Sequence, residues 1–415
     1  MAKYRSWALL LVVALAMIGC SSKESNDVEV FTWWASGSEK SGLDALVKVF
    51  DEQHPSLNFV NGSVLGGAGS NARDVLASRM AAHNPPDTFQ VHAGMELADY
   101  IKAGQVQDLA AMYTENGWRD VFPARLLELL TVDGKIYSVP SNVHRANVVW
   151  ANTDVLTRAG VDPKHQPANL DEWFGDLDRI KATGVTPLAM GKDWTQVHLL
   201  ETVLLARLGP AAYTALFDKR EGWDSPQVSG AIGDFARLLT YTNADSQFLD
   251  WSDALQQVID GKAAYNVMGD WADAAFRDQG KKFDVDYTAF PVPGSQGSFD
   301  FLADSFTLPV GSKHETAAKA WLTTVASAEG QRAFNTAKGS IPARTEMDAG
   351  DYPKYQQIAH ESYTNDVIVP SLAHGAATSV RWLADITTAV REFGTTHDVD
   401  KLRTTLVAGA TKNGP

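Results

Sequence analysis

The sequence predicts an α/β fold of two lobes with interleaved chain segments, the second lobe rich in helix. Three observations lead there. The chain has 415 residues, too many for one small core and natural for two. From Val28 to Gln105 short alternating runs are each followed by an amphipathic one, the pattern of a parallel sheet covered by helices. Beyond Leu170 the periodicity turns helical, and strand-like runs return only from Lys262. With 45% hydrophobic and 21% charged residues the composition is that of a folded protein.

The first segment is not part of either lobe. Lys3 and Arg5 precede an apolar run of 12 residues, Trp7 to Ile18, too short to span a bilayer but right for a secretory signal. It leads into M-I-G-C-S-S, where Cys20 is the only cysteine. This resembles the bacterial lipobox, in which cleavage before a cysteine leaves it to carry lipid. The expectation is a signal peptide over 1–19 and a lipidated tether over 20–27. Ordinary cleavage after the small pair Ala14 and Ala16 is the competing reading. With one cysteine no internal disulfide can form, so each lobe must be held by its own core. The expected location is extracytoplasmic, lipid-anchored in the cell envelope, where ATP and nicotinamide cofactors are absent; no cofactor is expected.

The elements then follow in order. Val28–Thr32 alternates as a strand and runs into V-E-V-F-T-W-W-A-S-G-S-E-K. Leu43, Leu46, Val47 and Phe50 mark one face of a helix. Leu57–Asn61 and Thr88–Val91 read as strands, Asn71–Ala82 and Met95–Lys102 as helices. The glycine-rich stretch Gly62–Ser70 matches no phosphate-binding spacing and reads as a loop. Helices are expected at Leu170–Thr183, Trp194–Arg207, Pro210–Phe217 and Gln227–Thr242, strands at Lys262–Met268, Asp286–Pro291 and Ser305–Pro309, and a helix at His314–Ser327. The expected lobes are 28–138 with 291–345, and 139–290 with 346–415. In such sheets ligands bind beyond the carboxyl ends of the strands. Trp33, Trp34 and His92 sit at such ends.

The net charge of −14 argues against a nucleic-acid partner, which requires a basic field. It also disfavours anionic lipid, so membrane attachment is expected only through Cys20.

Six short motifs carry a family likeness: Trp33-Trp34-Ala35-Ser36-Gly37-Ser38-Glu39, V-H-R-A-N-V-V-W-A-N (Val143–Asn152), M-G-D-W-A (Met268–Ala272), A-D-S-F-T-L-P (Ala303–Pro309), A-K-G-S-I-P-A-R (Ala337–Arg344) and S-L-A-H-G (Ser371–Gly375). In this order they resemble the family 1 extracellular solute-binding proteins of bacterial ABC importers, the glucose/mannose-binding branch nearest. The resemblance implies a periplasmic-binding-protein-like clamp that closes on one monosaccharide, glucose foremost, and hands it to permease subunits. It implies no enzyme activity, and a monomer. The sugar-facing residues it implies are Trp33, Trp34, Glu39, His92, Trp271, Asp304, Lys338 and His374, with Glu96 and Trp251 as further members.

The chemistry of this set suits a hexose on its own terms. Aromatic faces match the C–H faces of a sugar, and ionised groups make the stronger bonds to its hydroxyls. Glu39 and Asp304 can accept, while Lys338 and His374 can donate. Each residue also has a plainer reading. One tryptophan of the pair can be core, Asp270-Trp271 can open a helix with Asp as N-cap, and Lys338-Gly339 can simply end one. His92 and Glu96, four apart, lack a third metal ligand, so no metal is expected. His144-Arg145 reads as hinge or lobe packing, and Asp51, Glu52, Asp176 and Asp178 as solvated acids. The rival functions are an oligosaccharide-binding protein of the same family, and an extracellular glycosidase using Glu39 and Asp304 as its two carboxyls.

Overall fold

The structure, a computed structural model, describes residues 26–66, 69–218 and 221–413. The expected signal peptide, Cys20 and most of the tether lie outside the described residues. No helix among the described residues is long and apolar enough to cross a membrane.

The first lobe opens with the expected alternation. Strand β1 (Asp27–Phe31) is followed by helix Gly37–Gln53, β2 (Asn58–Asn61), helix Ser70–Ala81, β3 (Thr88–His92) and helix Met95–Lys102. Leu43, Leu46 and Phe50 are buried on one face of the first helix, as their spacing requires. A hairpin, β4 (Thr131–Val132) and β5 (Lys135–Ile136), precedes β6 (Ser138–Pro140), β7 (His144–Arg145) and β8 (Val148–Asn152). The helix-rich lobe adds β9 (Thr186–Ala189), β10 (Ala263–Val267) and β11 (Tyr287–Pro291), and the chain returns through β12 (Ser298–Leu302), β13 (Asp304–Thr307) and, late, β14 (Val367–Pro370).

Three sheets organise the molecule, in the orders β2-β1-β3-β13-β6, β11-β8-β10-β9 and β14-β12-β7. The first is parallel through β2, β1 and β3, and β13 enters it antiparallel with Asp304 opposite His92. The small third sheet lies where the chain passes between the other two. Going out, the path runs β6, β7, β8, and coming back it runs β11, β12, β13. Two separate hydrophobic clusters accompany the two larger sheets, one holding Trp34, Phe89 and Trp321, the other Trp173, Tyr265 and Phe235. The α/β two-lobed expectation describes this architecture.

The helices expected at Trp194–Arg207 and Pro210–Phe217 are two, lying within Trp194–Asp218 and parted where Gly209 takes a non-helical φ of 71° ahead of Pro210. One detail differs from the sequence reading. Asp176 is not a solvated acid. It falls three residues after Trp173 on the buried stripe of helix Leu170–Ala182 and is covered there. Burial pushes its carboxyl up, opposed by Arg179, whose Nη1 donates to Oδ1 at 2.7 Å. Asp51, Glu52 and Asp178 are exposed as expected.

Candidate functional site

Beyond Phe31 the chain leaves β1, so the two tryptophans no longer alternate across a sheet. Thr32 Oγ1 donates to Gln90 Oε1, and the Trp33 amide reaches the same oxygen at 3.3 Å. Trp33 then turns toward a cavity between the lobes, its ring 4.8 Å from His92. Gly69 makes room for it: at φ +85° a Cβ there would lie 2.8 Å from the Trp33 ring.

Trp34 turns the other way, which corrects the expectation that it faces the ligand. Its indole is fully buried, 4.7 Å from Phe334 and 5.6 Å edge-on from Phe306. It braces the wall from behind, with the Lys338 ammonium 4.9 Å over its face.

The charged part of the wall is built around Asp304. Its Oδ1 accepts from Gln90 Nε2 at 2.9 Å, and Oδ2 from Asn142 Nδ2 at 2.9 Å and Lys338 Nζ at 3.3 Å. Burial alone would raise its pKa, but Lys338, His92, His144 and the Asn142 bond together hold the carboxyl well below its usual range. Lys338 is the last residue of helix Ala328–Lys338, and Gly339, at φ 87°, caps it. The plain capping reading and the site reading of Lys338-Gly339 both hold. Glu39 reaches in from the first turn of helix Gly37–Gln53. Burial pushes its carboxyl up to about 7, with Lys338 opposing and Asp304 and Asp250 reinforcing.

Glu96 does not line the cavity, a second correction. One helical turn past His92, it sits beneath that ring, with Oε2 2.8 Å from His92 Nδ1 and 3.3 Å from Arg73 Nη1. Burial favours its neutral form, yet Arg73 and His92 bring its pKa down, so it orients His92 as a carboxylate.

The second lobe supplies the aromatic side. Trp271 follows Gly269-Asp270, and its ring folds back over Gly269 so closely that a Cβ there would lie 2.0 Å away. Trp271 stands 6.4 Å from both Trp194 and Trp251 and 5.4 Å from His374. Ser38 Oγ of the first lobe donates to the Trp271 carbonyl at 3.1 Å, a tie between the lobes.

Together Trp33, Glu39, His92, Trp251, Trp271, Asp304, Lys338 and His374 line one cavity, part of it continuous with solvent. Sequence reasoning missed His144, Trp194 and Asp250, which share the wall with Leu65, Gly66, Gly69 and Leu302. His144 lies inside a motif already singled out, yet was read as hinge or packing. It stands on β7, in the passage between lobes, and also touches the site, since Lys338 Nζ donates to its Nε2 at 2.7 Å while Nδ1 pairs with Asp270. Burial and Lys338 lower its pKa against Asp270. Trp194 and Asp250 carry no signal beyond the two Asp-Trp pairs they belong to.

The Nε1 atoms of Trp194 and Trp271 and Nε2 of His374 are buried in or beside this wall without a partner among the described residues. Such atoms are costly unless a ligand bonds them. Among the described residues His198, Glu201 and His374 bring possible metal-donor atoms within 4.8 Å of one another, although hydrogen bonds already engage Glu201 and His374.

A profile described as bacterial extracellular solute-binding protein matches residues 34–332. The chain belongs to this family. An uncharacterised ABC transporter extracellular-binding protein of Pyrococcus horikoshii is 34% identical to this solute-binding protein over 97% of this chain and 94% of its own. A probable sugar-binding periplasmic protein of Brucella suis is 34% identical over 89% and 88%. Among solved structures a chitin oligosaccharide binding protein superposes with TM-score 0.81 at 22% identity, over 94% of this chain and 99% of that one. As a solute-binding protein it works outside the cytoplasm, and it is a binding protein, not an enzyme. Asp304 and Glu39 are accordingly not the acid and base of a glycosidase.

Proposed function

We propose that this solute-binding protein captures one monosaccharide, glucose foremost, between its lobes and delivers it to the permease of an ABC importer, tethered meanwhile by lipid on Cys20. The observation that carries the reading is the composition of one cavity. Four tryptophans wall it, a salt-bridged Asp304–Lys338 pair lines it, and Trp194, Trp271 and His374 of the wall carry buried nitrogens that the described residues leave unpartnered. Flat C–H faces and a rim of hydroxyls answer those features. The description of the Brucella suis relative as sugar-binding points the same way. A phosphorylated ligand fits poorly, because the wall holds one lysine and no arginine.

A thermal-shift screen against hexoses, pentoses, disaccharides and a chitin oligosaccharide tests this. Glucose at about 100 times its Kd is expected to add about 2.7 kcal/mol of stability and to quench or shift tryptophan emission. No response to any monosaccharide at millimolar concentration would end the reading, and a stronger response to the oligosaccharides would redirect it.

A further inference from the structure

We propose that Glu201 and Ser371 are positioning residues that fix the ring of His374 in one tautomer, so that Nε2 meets the ligand as a hydrogen-bond acceptor. The ligand group facing His374 must then donate. This rests on the reading that the cavity binds a sugar, and it reverses the donor role expected for His374 from its residue type.

The order of protons follows from groups whose roles are fixed. His198 and Glu201 lie one turn apart on the buried face of the first helix within Trp194–Asp218. His198 Nε2 is 2.9 Å from the Ala146 carbonyl. A carbonyl only accepts, so Nε2 carries the ring proton and Nδ1 is bare. That Nδ1 has no hydrogen-bond partner among the described residues and faces Glu201 Oε1 at 3.7 Å. Two lone pairs opposed in a buried site repel, and a proton on Oε1 directed at His198 relieves this. Burial, which pushes Glu201 up to about 8, agrees with such a proton.

Around the rest of the carboxyl stand donors. The Ala373 amide donates to Oε2 at 2.8 Å, and Ser371 Oγ lies 3.1 Å from each oxygen. With the Glu201 proton turned to His198, the Ser371 hydroxyl gives its own single proton to the carboxyl. Its oxygen can then only accept from His374 Nδ1, 2.8 Å away. Ionising Glu201 would strengthen the same order. Nδ1 of His374 therefore carries the proton, and Nε2, buried without a partner among the described residues, presents its lone pair.

The other titratable groups nearby do not disturb this. The Tyr213 hydroxyl donates to the Pro370 carbonyl at 3.1 Å and is held neutral by burial. Asp300, with Arg145 opposing, is pushed well above its usual range by burial and by Glu201. Burial, with His198, His92, His144 and Lys338, keeps His374 uncharged. A metal held by His198, Glu201 and His374 would have to displace the Ser371 and Ala373 bonds, which the hydrogen-bonded arrangement keeps.

Fluorine in place of a hydroxyl accepts weakly and cannot donate, so it separates the two roles. The first measurement needs no ligand: long-range ¹H–¹⁵N spectra of ¹⁵N-histidine-labelled protein, with the His374 signals assigned by their loss in His374→Gln. A protonated Nδ1 and a bare Nε2 are expected, and Ser371→Ala and Glu201→Gln should each give a mixed or reversed tautomer. Ser371→Ala serves where Glu201→Gln fails to fold. With monofluorinated sugars, substitution at one hydroxyl should weaken wild-type binding at least tenfold, and the penalty should shrink to under threefold in Ser371→Ala. A protonated Nε2 in the wild type, or an unchanged tautomer in both variants, would overturn the proposal. So would stoichiometric zinc uptake that Glu201→Gln abolishes. No binding of any sugar together with the protonated Nδ1 would sink the sugar reading while supporting the fixed tautomer.

Discussion

At the scale of single residues the site is a set of charges placed where water cannot screen them. Asp304 is the clearest case, because Lys338 and three amide or imidazole neighbours hold it ionised while fully buried. Its pKa is lowered on folding, so its stabilising contribution is present above its ordinary value of 3.8 and is lost as the pH falls. Asp304→Asn should reduce sugar affinity about 10- to 100-fold, the scale of a hydrogen bond to a charged group. It should also cost stability by about 3 kcal/mol, since Lys338 loses its buried partner. Titration calorimetry and urea melts check the two parts, and unchanged affinity would remove Asp304 from the site. Glu39 behaves oppositely. Its pKa rises on folding from 4.5 to about 7, so its contribution to stability is full below pH 4.5 and fades as the pH climbs through 7. A ligand hydroxyl donating to the carboxylate favours the ionised form and pulls that pKa back down. Sugar affinity should therefore rise between about pH 6 and pH 8 with release of a proton, and Glu39→Gln should flatten the profile. Calorimetry in buffers of different ionisation enthalpy counts the proton.

At the scale of elements, the aromatic wall depends on backbone that comes close without side chains. Gly269 lies two residues beyond β10 and lets the Trp271 indole lie directly over it. Gly269→Ala would place a methyl group inside that ring, so the indole must swing into or out of the cavity. The expected result is at least tenfold weaker binding, with a stability loss of about 1–3 kcal/mol, as for an overpacked core. Near-normal affinity would mean that the position of Trp271 does not matter. Strand and helix order was legible in the sequence because period and punctuation alone set it, and so were the strand-end positions of Trp33 and His92. What period cannot reveal is the direction of a side chain once the chain has left the strand. Trp33 and Trp34 are chemically identical neighbours, and only the loop geometry after Phe31 sends one to the cavity and the other to Phe334. The same limit hid His144. Its role arises from Asp270 and Lys338, which are 126 and 194 residues away along the chain. Glu96 was placed near the site correctly, but the helical turn that brings it close also tucks it beneath His92.

At the scale of the whole molecule, both the sheet order and the contacts describe a clamp. The chain crosses between the two large sheets along β7 outward and β12 back, beside β14. Few strands join the lobes, so closure can be concentrated there, a common form of binding transition. On the far side of the cavity helix Ala272–Asp278 carries Arg277, whose Nη2 donates to the Thr336 carbonyl at 3.0 Å, while Ser38 Oγ reaches the Trp271 carbonyl. These bonds join the lobes only when they are together, so they add to the stability of the closed form that the ligand favours. Ser38→Ala removes one bond that the sugar never touches. A neutral hydrogen bond is worth about 0.5–1.5 kcal/mol, so affinity should fall about two- to tenfold through a smaller population of the closed form. Small-angle scattering should show the radius of gyration falling on addition of sugar to the wild type. In Ser38→Ala more sugar should be needed to reach the same end point. Full wild-type affinity in this variant, with no change in scattering on binding, would mean that the lobes are fixed and that the ligand enters without closure.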